Sequence, residues 1–236
     1  MKNKIAILTA ISGNRDRLSI PTVVHENADY YAFVDEPTKY VIGPWKQLKI
    51  FPFTNDERFS NRRKAKPYKI MPELFVPGYD FYFWADATHD VVASPQEIAD
   101  KYLENSCIAV FKHNQRNCAY HEANEIIKLN YDHTVNVTNQ IKEYQKLDFP
   151  FDFGLFELPV IVRRNCFETT TFNLMWWEQI CKYSSRDQIS FPFCLWRTGI
   201  KFSVMPGYAN GINPITNNIG YNDLIPQIRH HHSYQI

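Results

Sequence analysis

Short apolar runs recur along the chain, and several of them end abruptly at an acidic or basic residue. Continuous apolar runs of this kind are typical of strands that are buried on both faces of a parallel sheet. The pattern predicts strands at residues 4–11, 30–35, 40–42, 79–84, 107–112 and 158–163.

Helical spacing separates many of these strands. Ser94 followed by Pro95 is typical of an N-cap and a first helical position. Because strand and helix signals alternate, we expect an α/β fold with a mostly parallel central sheet flanked by helices. The predicted helices cover residues 95–103, 121–129 and 169–183, with another inside residues 58–74 that is broken near Pro67 or Pro72.

The two ends of the chain differ from its middle. The N-terminal apolar run is far too short to cross a membrane and short for a signal sequence, so we interpret it as the first strand. Beyond Phe202, glycine, asparagine and proline become frequent, which predicts an extended tail over residues 201–236 that wraps the domain. We therefore expect a single domain over residues 1–236, without a transmembrane segment and located in the cytoplasm.

Composition narrows the class of protein. A net charge of +1 over 236 residues does not favour nucleic-acid binding. The five cysteines include no Cys-x-x-Cys pair, so we expect reduced thiols rather than a zinc or redox motif. The sequence leaves the oligomeric state open.

A first candidate site spans residues 61–95. A basic segment containing Arg63 and Lys66 leads into the predicted strand 79–84, and Asp86 follows that strand. Ligands of open α/β sheets bind beyond the carboxyl ends of the strands. Carboxylate oxygen suits Mg²⁺ or Mn²⁺, and Arg and Lys suit phosphate. We predict a nucleoside-diphosphate site; alternatively, Asp86 caps backbone amides in a turn and the basic segment is a solvated helix face.

A second group of polar residues follows the predicted strand 107–112. His113 and Arg116 lie in this loop, and loops at strand ends carry function more often than packing. Alternatively, this is a polar loop ahead of a helix.

Two further acidic residues are candidates for the site. Glu157 precedes another predicted strand. Asp187 follows a helix, where it either caps the next helix or points into the cleft toward an acceptor hydroxyl.

Together these segments resemble the glycosyltransferase-like family of plant mucilage and turgor-regulation proteins and their bacterial and viral relatives. The matching residues lie in order over about residues 4–200. They are the Arg63 to Pro67 approach, Trp84-Ala85-Asp86, His113-x-x-Arg116-x-Cys118-x-Tyr120-x-Glu122-Ala123, Val160 to Arg163, Trp176-Trp177, and the run from Ser185 to Phe191 that contains Arg186-Asp187-Gln188.

The resemblance implies a GT-A fold, which is a nucleotide-binding α/β domain, with a more distant similarity to glycogenin-like retaining transferases. In those enzymes a strand ends in Asp-x-Asp, and a later Asp-Gln pair lies on the acceptor side. Asp86 matches the first acid, Thr88 departs from the second, and Asp187 and Gln188 match the later pair.

The resemblance also implies a divalent metal, Mn²⁺ or Mg²⁺, with Asp86 as a ligand. Because Thr88 replaces the second acid, Asp90 or a C-terminal histidine, His231, would complete the metal shell. Alternatively, the C-terminal histidines belong to a disordered tail without a metal.

The implied function is a metal-dependent glycosyltransferase, a hexosyl- or pentosyltransferase, that moves a sugar from a nucleotide sugar to a glycan or other hydroxyl acceptor. We expect a UDP-sugar as donor, bound by about residues 1–110, and the acceptor on about residues 111–200. Two alternatives stay open: a non-catalytic sugar- or nucleotide-binding protein, and a metal-dependent hydrolase. The expected donor-side residues are Arg15, Asp35, Arg63, Lys66, Asp86 and Thr88, and the expected catalytic or acceptor-side residues are His113, Arg116, Glu157, Asp187 and Gln188.

Overall fold

The computed structural model of the protein describes residues 3–13, 16–51, 61–209 and 222–227. Within these ranges the chain forms strands and helices in alternation. The strands are β1 (Ile5–Ile11), β2 (Ala28–Val34), β3 (Trp45–Lys49), β4 (Phe81–Ala85), β5 (Ile108–Lys112), β6 (Phe156–Arg164) and β7 (Phe202–Met205). The helices are α1 (Asn61–Ile70), α2 (Pro95–Tyr102), α3 (Ala119–Lys128), α4 (Thr134–Lys146), α5 (Phe167–Lys182) and α6 (Asp187–Thr198), with a 3₁₀ turn at Pro72–Leu74.

These strands form one sheet in the order β3-β2-β1-β4-β6-β5-β7. β1 pairs in parallel with β2 and β4, β2 with β3, and β5 with β7, whereas β6 is antiparallel to both of its neighbours. The predicted mostly parallel sheet is therefore confirmed. The parallel strands end at one edge, where β6 begins. We call it the carboxyl edge, and it carries Ser12, Asp35, Asp86, His113 and Glu157.

Helices cover both faces of the sheet and create two apolar cores. All of β4 is buried, with Tyr82 and Trp84 in one core and Phe81 and Phe83 in the other. Successive strand residues point to opposite faces, so a strand that is covered on both sides is apolar throughout. The first core contains residues of α1, α3, α4, α5 and α6, whereas the second contains residues of α2.

Most predicted elements are confirmed, with shifts of a few residues at their ends. Ser94 caps α2, because its Oγ accepts a hydrogen bond from a backbone amide of the first turn at 3.4 Å, and Pro95 is the first helical residue. Helix α1 continues through Pro67 and ends at Ile70, so the break lies ahead of Pro72.

The predicted strand at residues 40–42 is wrong. Tyr40 and Val41 are exposed, and the neighbour of β2 is instead β3. β-propensity depends on packing against cross-strand neighbours, so a short apolar run alone is a weak signal. Helix α4 was not predicted, and α6 was implied only by the alternative in which Asp187 caps a following helix. α4 begins with β-branched residues and asparagine, which have low helix propensity, and α6 contains Pro192.

The described part of the tail packs on the loop that follows β4. The carbonyl of Leu224 accepts hydrogen bonds from the amides of Val92 and Ala93, and the carbonyl of Pro226 accepts one from the amide of Asp90, each at 3.1 Å. These bonds hold the loop that carries Asp90. None of the helices in the described ranges is long and apolar enough to cross a membrane.

Candidate active site

Asp86 lies at the carboxyl edge because β4 ends one residue before it. Its amide donates a hydrogen bond to the carbonyl of Pro159 at 2.7 Å, which extends the pairing with β6. The indole Nε1 of Trp84 donates to Asp86 Oδ1 at 2.6 Å. Among the described residues, no backbone amide donates to this carboxylate, so the alternative of a turn-capping aspartate is wrong. The side chain is 36% exposed, and Oδ2 has no hydrogen-bond partner in the described ranges.

Two lysines of α1 bind Asp187, and one of them, Lys69, also contacts Asp86. Lys69 Nζ lies 3.8 Å from Asp86 Oδ1 and 2.8 Å from Asp187 Oδ2. Lys66 Nζ donates a hydrogen bond to the same Oδ2 of Asp187. We call these four residues the lysine–aspartate cluster. Because both lysines are buried, the alternative of a solvated helix face is wrong for this side of α1.

Mutual attraction keeps this cluster charged. Burial alone would raise the pKa of Asp187, but the charges and hydrogen bonds of Lys66 and Lys69 hold it well below its usual range. Burial lowers the pKa of Lys66 to about 8, against the attraction of Asp187. For Lys69, the attraction of Asp187 and Asp86 outweighs burial and raises the pKa. Asp187 is therefore ionised and Lys69 protonated at neutral pH.

Arg163 of β6 holds the end of α1 in place. Its buried guanidinium donates hydrogen bonds to the carbonyl of Ile70 at 2.8 Å and to the carbonyl of Lys69. The last carbonyls of a helix have no partner inside the helix. These bonds satisfy two of them and position Lys69 at the carboxyl edge.

Asp187 is the first residue of α6, and the preceding turn sets its position. Asp132 Oδ2 accepts hydrogen bonds from Ser184 Oγ, from the amide of Ser185 and from Ser185 Oγ, each at 2.8 Å. Arg186 occupies the N-cap position, and the carboxylate of Asp187 binds the two lysines instead of capping the helix. The alternative that Asp187 is an N-cap is therefore wrong.

A pocket opens beside Asp86. The buried Thr9 Oγ1 has no hydrogen-bond partner among the described residues, so a ligand there can satisfy it. Asp90 is buried, and its Oδ2 accepts a hydrogen bond from the amide of Thr22 at 2.5 Å. The pocket is lined by Thr9, Leu18, Ser19, Pro21, Trp45, Ala85, Asp86, Ala87, His89 and Asp90.

Thr88 and Gln188 make local contacts. The buried hydroxyl of Thr88 lies 3.0 Å from His89 Nδ1, and Thr88 does not line the pocket. Gln188 Oε1 accepts a hydrogen bond from Arg186 Nη2 at 3.3 Å. The structure therefore places Gln188 beside Asp187 but turns Thr88 toward a neighbouring side chain.

The other predicted donor-side residues lie around the loop after β1. Asp35 accepts hydrogen bonds from Ser12 Oγ at 2.9 Å and from the amide of Gly13 at 2.6 Å, so it holds the end of β1. Gly13 has a φ of 71°, which favours glycine. Arg63 donates to the carbonyl of Tyr183. Arg15 and His231 lie outside the described residues.

The loop after β5 forms a second group, which we call the β5 loop cluster: His113, Arg116, Glu122 and Glu157. His113 Nδ1 accepts hydrogen bonds from two backbone amides of the loop, each at 3.1 Å, and Nε2 lies 3.9 Å from Glu122 Oε2. Arg116 Nε donates to Glu122 Oε2 at 2.6 Å. The buried Glu157 accepts a bond from the amide of Asn114 at 3.4 Å. Burial, helped by repulsion from Arg116, lowers the pKa of His113 to about 4.

The two clusters share the carboxyl edge. Glu157 lies on β6 two residues before Pro159, whose carbonyl accepts the amide hydrogen bond of Asp86. Lys69, Arg163 and Glu122 were not among the predicted site residues. A usable signal existed for Lys69, because it lies three residues after Lys66 and shares its side of α1.

Comparison with known proteins identifies the family of this chain and a similar plant protein. A sequence model of the TOD1/MUCI70, glycosyltransferase-like domain matches residues 1–210. The chain belongs to the TOD1/MUCI70 family. It is 23% identical over 212 residues to the probable hexosyltransferase MUCI70 of Arabidopsis thaliana, and the match covers 79% of this chain and 35% of that protein. The chain thus spans about a third of the length of this relative.

The WbbM structure confirms the GT-A fold of this TOD1/MUCI70 family member. The apo structure of the bifunctional glycosyltransferase WbbM superposes with a TM-score of 0.51 at 10% identity, covering 87% of this chain and 39% of that one. The galactosyltransferase LgtC, in complex with donor and acceptor sugar analogs, has a TM-score of 0.44 at 11% identity, covering 87% and 73% of the two chains. The overlap with WbbM identifies a shared fold.

Proposed function

We propose that this domain is a metal-dependent glycosyltransferase that moves a hexosyl group from a UDP-sugar to a hydroxyl of a glycan. The family and the GT-A fold support glycosyl transfer. The observation that carries the proposal is that Asp86 and Asp187 contact one ammonium, that of Lys69. One cation therefore lies between the acid expected on the donor side and the acid expected on the acceptor side.

Glycosyl transfer needs charge stabilisation at two points. Negative charge builds on the departing diphosphate, and positive charge builds on the sugar ring. Lys66 and Lys69 supply fixed positive charge at the carboxyl edge. Asp187 is held ionised next to them, and it would stabilise the sugar or orient the acceptor hydroxyl. Because the fold places these groups in advance, little reorganisation is needed when the substrates bind.

The residues beside the pocket fit a hard divalent cation. Asp86 and Asp90 line the same pocket, and carboxylate oxygens are the ligands that Mn²⁺ and Mg²⁺ prefer. Oδ2 of Asp86 has no hydrogen-bond partner among the described residues. When bound, such an ion would neutralise the departing diphosphate. His231 stays a predicted further ligand.

A thermal-shift screen of the full chain tests donor and metal together. A ligand that binds only the folded protein raises its melting temperature. We expect a UDP-sugar to raise it more with Mn²⁺ than without, and more than other nucleotide sugars do. Incubation of the same donor with glycan acceptors should then release UDP and yield a product that is heavier by one hexosyl residue.

Two results would overturn the proposal. Donor binding without UDP release, across a panel of acceptors, would favour the non-catalytic binding protein. Metal-dependent cleavage of a phosphate ester without any sugar donor would favour the hydrolase.

A further inference from the structure

Three metal-ligating side chains meet at the start of α3, away from the lysine–aspartate cluster in sequence. Cys118 directly precedes α3, His121 lies in its first turn, and Asp152 lies in the turn between α4 and β6. One ligand atom from each side chain lies within 4.8 Å of the other two. Cys118 is buried, whereas His121 and Asp152 are exposed.

The backbone holds this arrangement without an ion. Asn117 Nδ2 donates a hydrogen bond to the carbonyl of Asp152 at 3.1 Å, and the amide of Gly154 donates to the carbonyl of Asn117 at 3.1 Å. The rings of Tyr120 and Phe151 stack with their centroids 4.3 Å apart. The turn before β6 is thus fastened to the start of α3 on both sides of Asp152.

Across the described part of the chain, no hydrogen bond or ion pair involves the Cys118 thiol, the His121 imidazole or the Asp152 carboxylate. A second cluster of similar composition, Cys107, Cys166 and Glu168, differs in this respect. There Cys166 Sγ lies 3.2 Å from a threonine hydroxyl, so part of its bonding capacity is used inside the protein.

The ligand types identify the class of ion. Thiolate, imidazole and carboxylate together suit Zn²⁺, which takes tetrahedral sites of nitrogen, sulfur and oxygen ligands. A thiolate and a carboxylate balance the charge of a divalent ion. Because only three ligands come from the protein and the position is partly exposed, the fourth coordination position of a tetrahedral Zn²⁺ is left for water.

We propose that Cys118, His121 and Asp152 form a Zn²⁺ site that cross-links the start of α3 to the turn before β6. A search of the sequence for Cys-x-x-Cys pairs does not find this site, because it combines Cys118-x-x-His121 with a third ligand, Asp152, from a distant turn. This Zn²⁺ site is independent of the metal site expected at Asp86. The ligands expected there among the described residues, Asp86 and Asp90, offer only oxygen atoms.

Co²⁺ is the probe for this site, because a bond from thiolate to Co²⁺ gives a charge-transfer absorption band that nitrogen and oxygen ligands do not give. The reduced, chelator-treated full chain should bind one Co²⁺ with this band and with visible bands of tetrahedral intensity. One equivalent of Zn²⁺ should abolish them. Ions bound at Asp86 or at the C-terminal histidines would not produce the sulfur band.

Variants test each ligand. Cys118→Ser should remove the sulfur band, and the exposed positions His121→Ala and Asp152→Asn should weaken Co²⁺ binding by at least about tenfold, the lower end for loss of a supporting group at metal sites. Cys166→Ser, in the other cluster, should leave the band unchanged. The proposal is overturned if the wild-type chain shows no sulfur band. It also fails if the band is lost in Cys166→Ser but kept in Cys118→Ser, or if both exposed variants bind Co²⁺ like the wild type.

Discussion

The two clusters at the carboxyl edge are assembled in different ways. The lysine–aspartate cluster joins α1 to α6, so its buried charges come from distant parts of the chain. In the β5 loop cluster, Arg116 and Glu122 lie within one loop and the helix that follows, and His113 is neutral at physiological pH. The first cluster therefore depends on the packing of the whole domain, whereas a local segment forms most of the second.

This difference predicts how each cluster responds to substitution. Removing one member of a buried ion pair leaves an uncompensated charge without water, which is strongly destabilising. The side chain of Arg116 is 26% exposed, so water can replace part of a lost partner there. Isosteric changes of one carboxylate in each cluster test the comparison.

Asp187→Asn should have the largest effect. It leaves Lys66 and Lys69 buried without their carboxylate, so we expect a loss of about 3–5 kcal/mol in the free energy of unfolding, measured by urea denaturation. Turnover of a UDP-sugar should fall at least about a hundredfold, measured where the variant is still folded.

A double variant separates the two effects of Asp187. Adding Lys66→Met to Asp187→Asn removes one uncompensated ammonium, so stability should recover in part while turnover stays low. Wild-type turnover in Asp187→Asn would remove this residue from the active site. Wild-type stability in Asp187→Asn would show that the carboxylate of Asp187 does not stabilise the two buried lysines.

Asp86→Asn should affect ligand binding more than stability. Its side chain is partly exposed and contacts Lys69 only at 3.8 Å, so the fold should tolerate the change. Loss of a metal ligand should weaken Mn²⁺-dependent donor binding by at least about a hundredfold, or ~2.7 kcal/mol. Calorimetric titration measures this. The matched control is Asp100→Asn, an exposed position near the end of α2, which should bind donor normally. Normal Mn²⁺-dependent binding in Asp86→Asn would refute the metal assignment.

Glu122→Gln is the matched change in the β5 loop cluster. It weakens one charge-assisted hydrogen bond from Arg116, and such bonds contribute about 1.5–3 kcal/mol. We expect a loss of stability in the lower part of this range and a decrease in turnover of less than about tenfold. A larger loss than that of Asp187→Asn would reverse the comparison between the two clusters.

Local patterns in the sequence predicted most of the fold. Ser94 and Pro95 marked the start of α2, and the apolar run before Asp86 marked β4, because both signals lie within a few neighbouring residues. The errors in the predicted strands and helices also have local causes. The run at residues 40–42 had the composition of a strand but pairs with no described strand, and Pro192 obscured α6.

The candidate site was predictable only in part. The sequence pointed to Lys66, Asp86 and Asp187 separately, but nothing local shows that Asp187 and Lys66 form an ion pair between α6 and α1. The same holds for Arg163, whose guanidinium reaches the carbonyls at the end of α1. Contacts between distant segments depend on the packed fold, so they cannot be predicted from local patterns in one sequence.

The smallest effect is expected at His113. Its pKa is lowered from 6.5 to about 4, mainly by burial. Between these pH values the unfolded chain binds more protons at this residue than the folded chain does. Stability should therefore fall as the pH decreases, by about 1.5 kcal/mol from pH 6.5 to pH 5. His113→Asn keeps an acceptor for the loop amides but does not titrate, so its stability should change less over the same range.

The same shift predicts what His113 does not do. Because the imidazole stays neutral, turnover should show no change near pH 6.5 that His113→Asn removes. Titration of its ring proton signals by NMR should give a midpoint near 4. A midpoint near 6.5, or a turnover profile that loses a step near that pH in His113→Asn, would show that the β5 loop cluster is more open to water than its hydrogen bonds indicate.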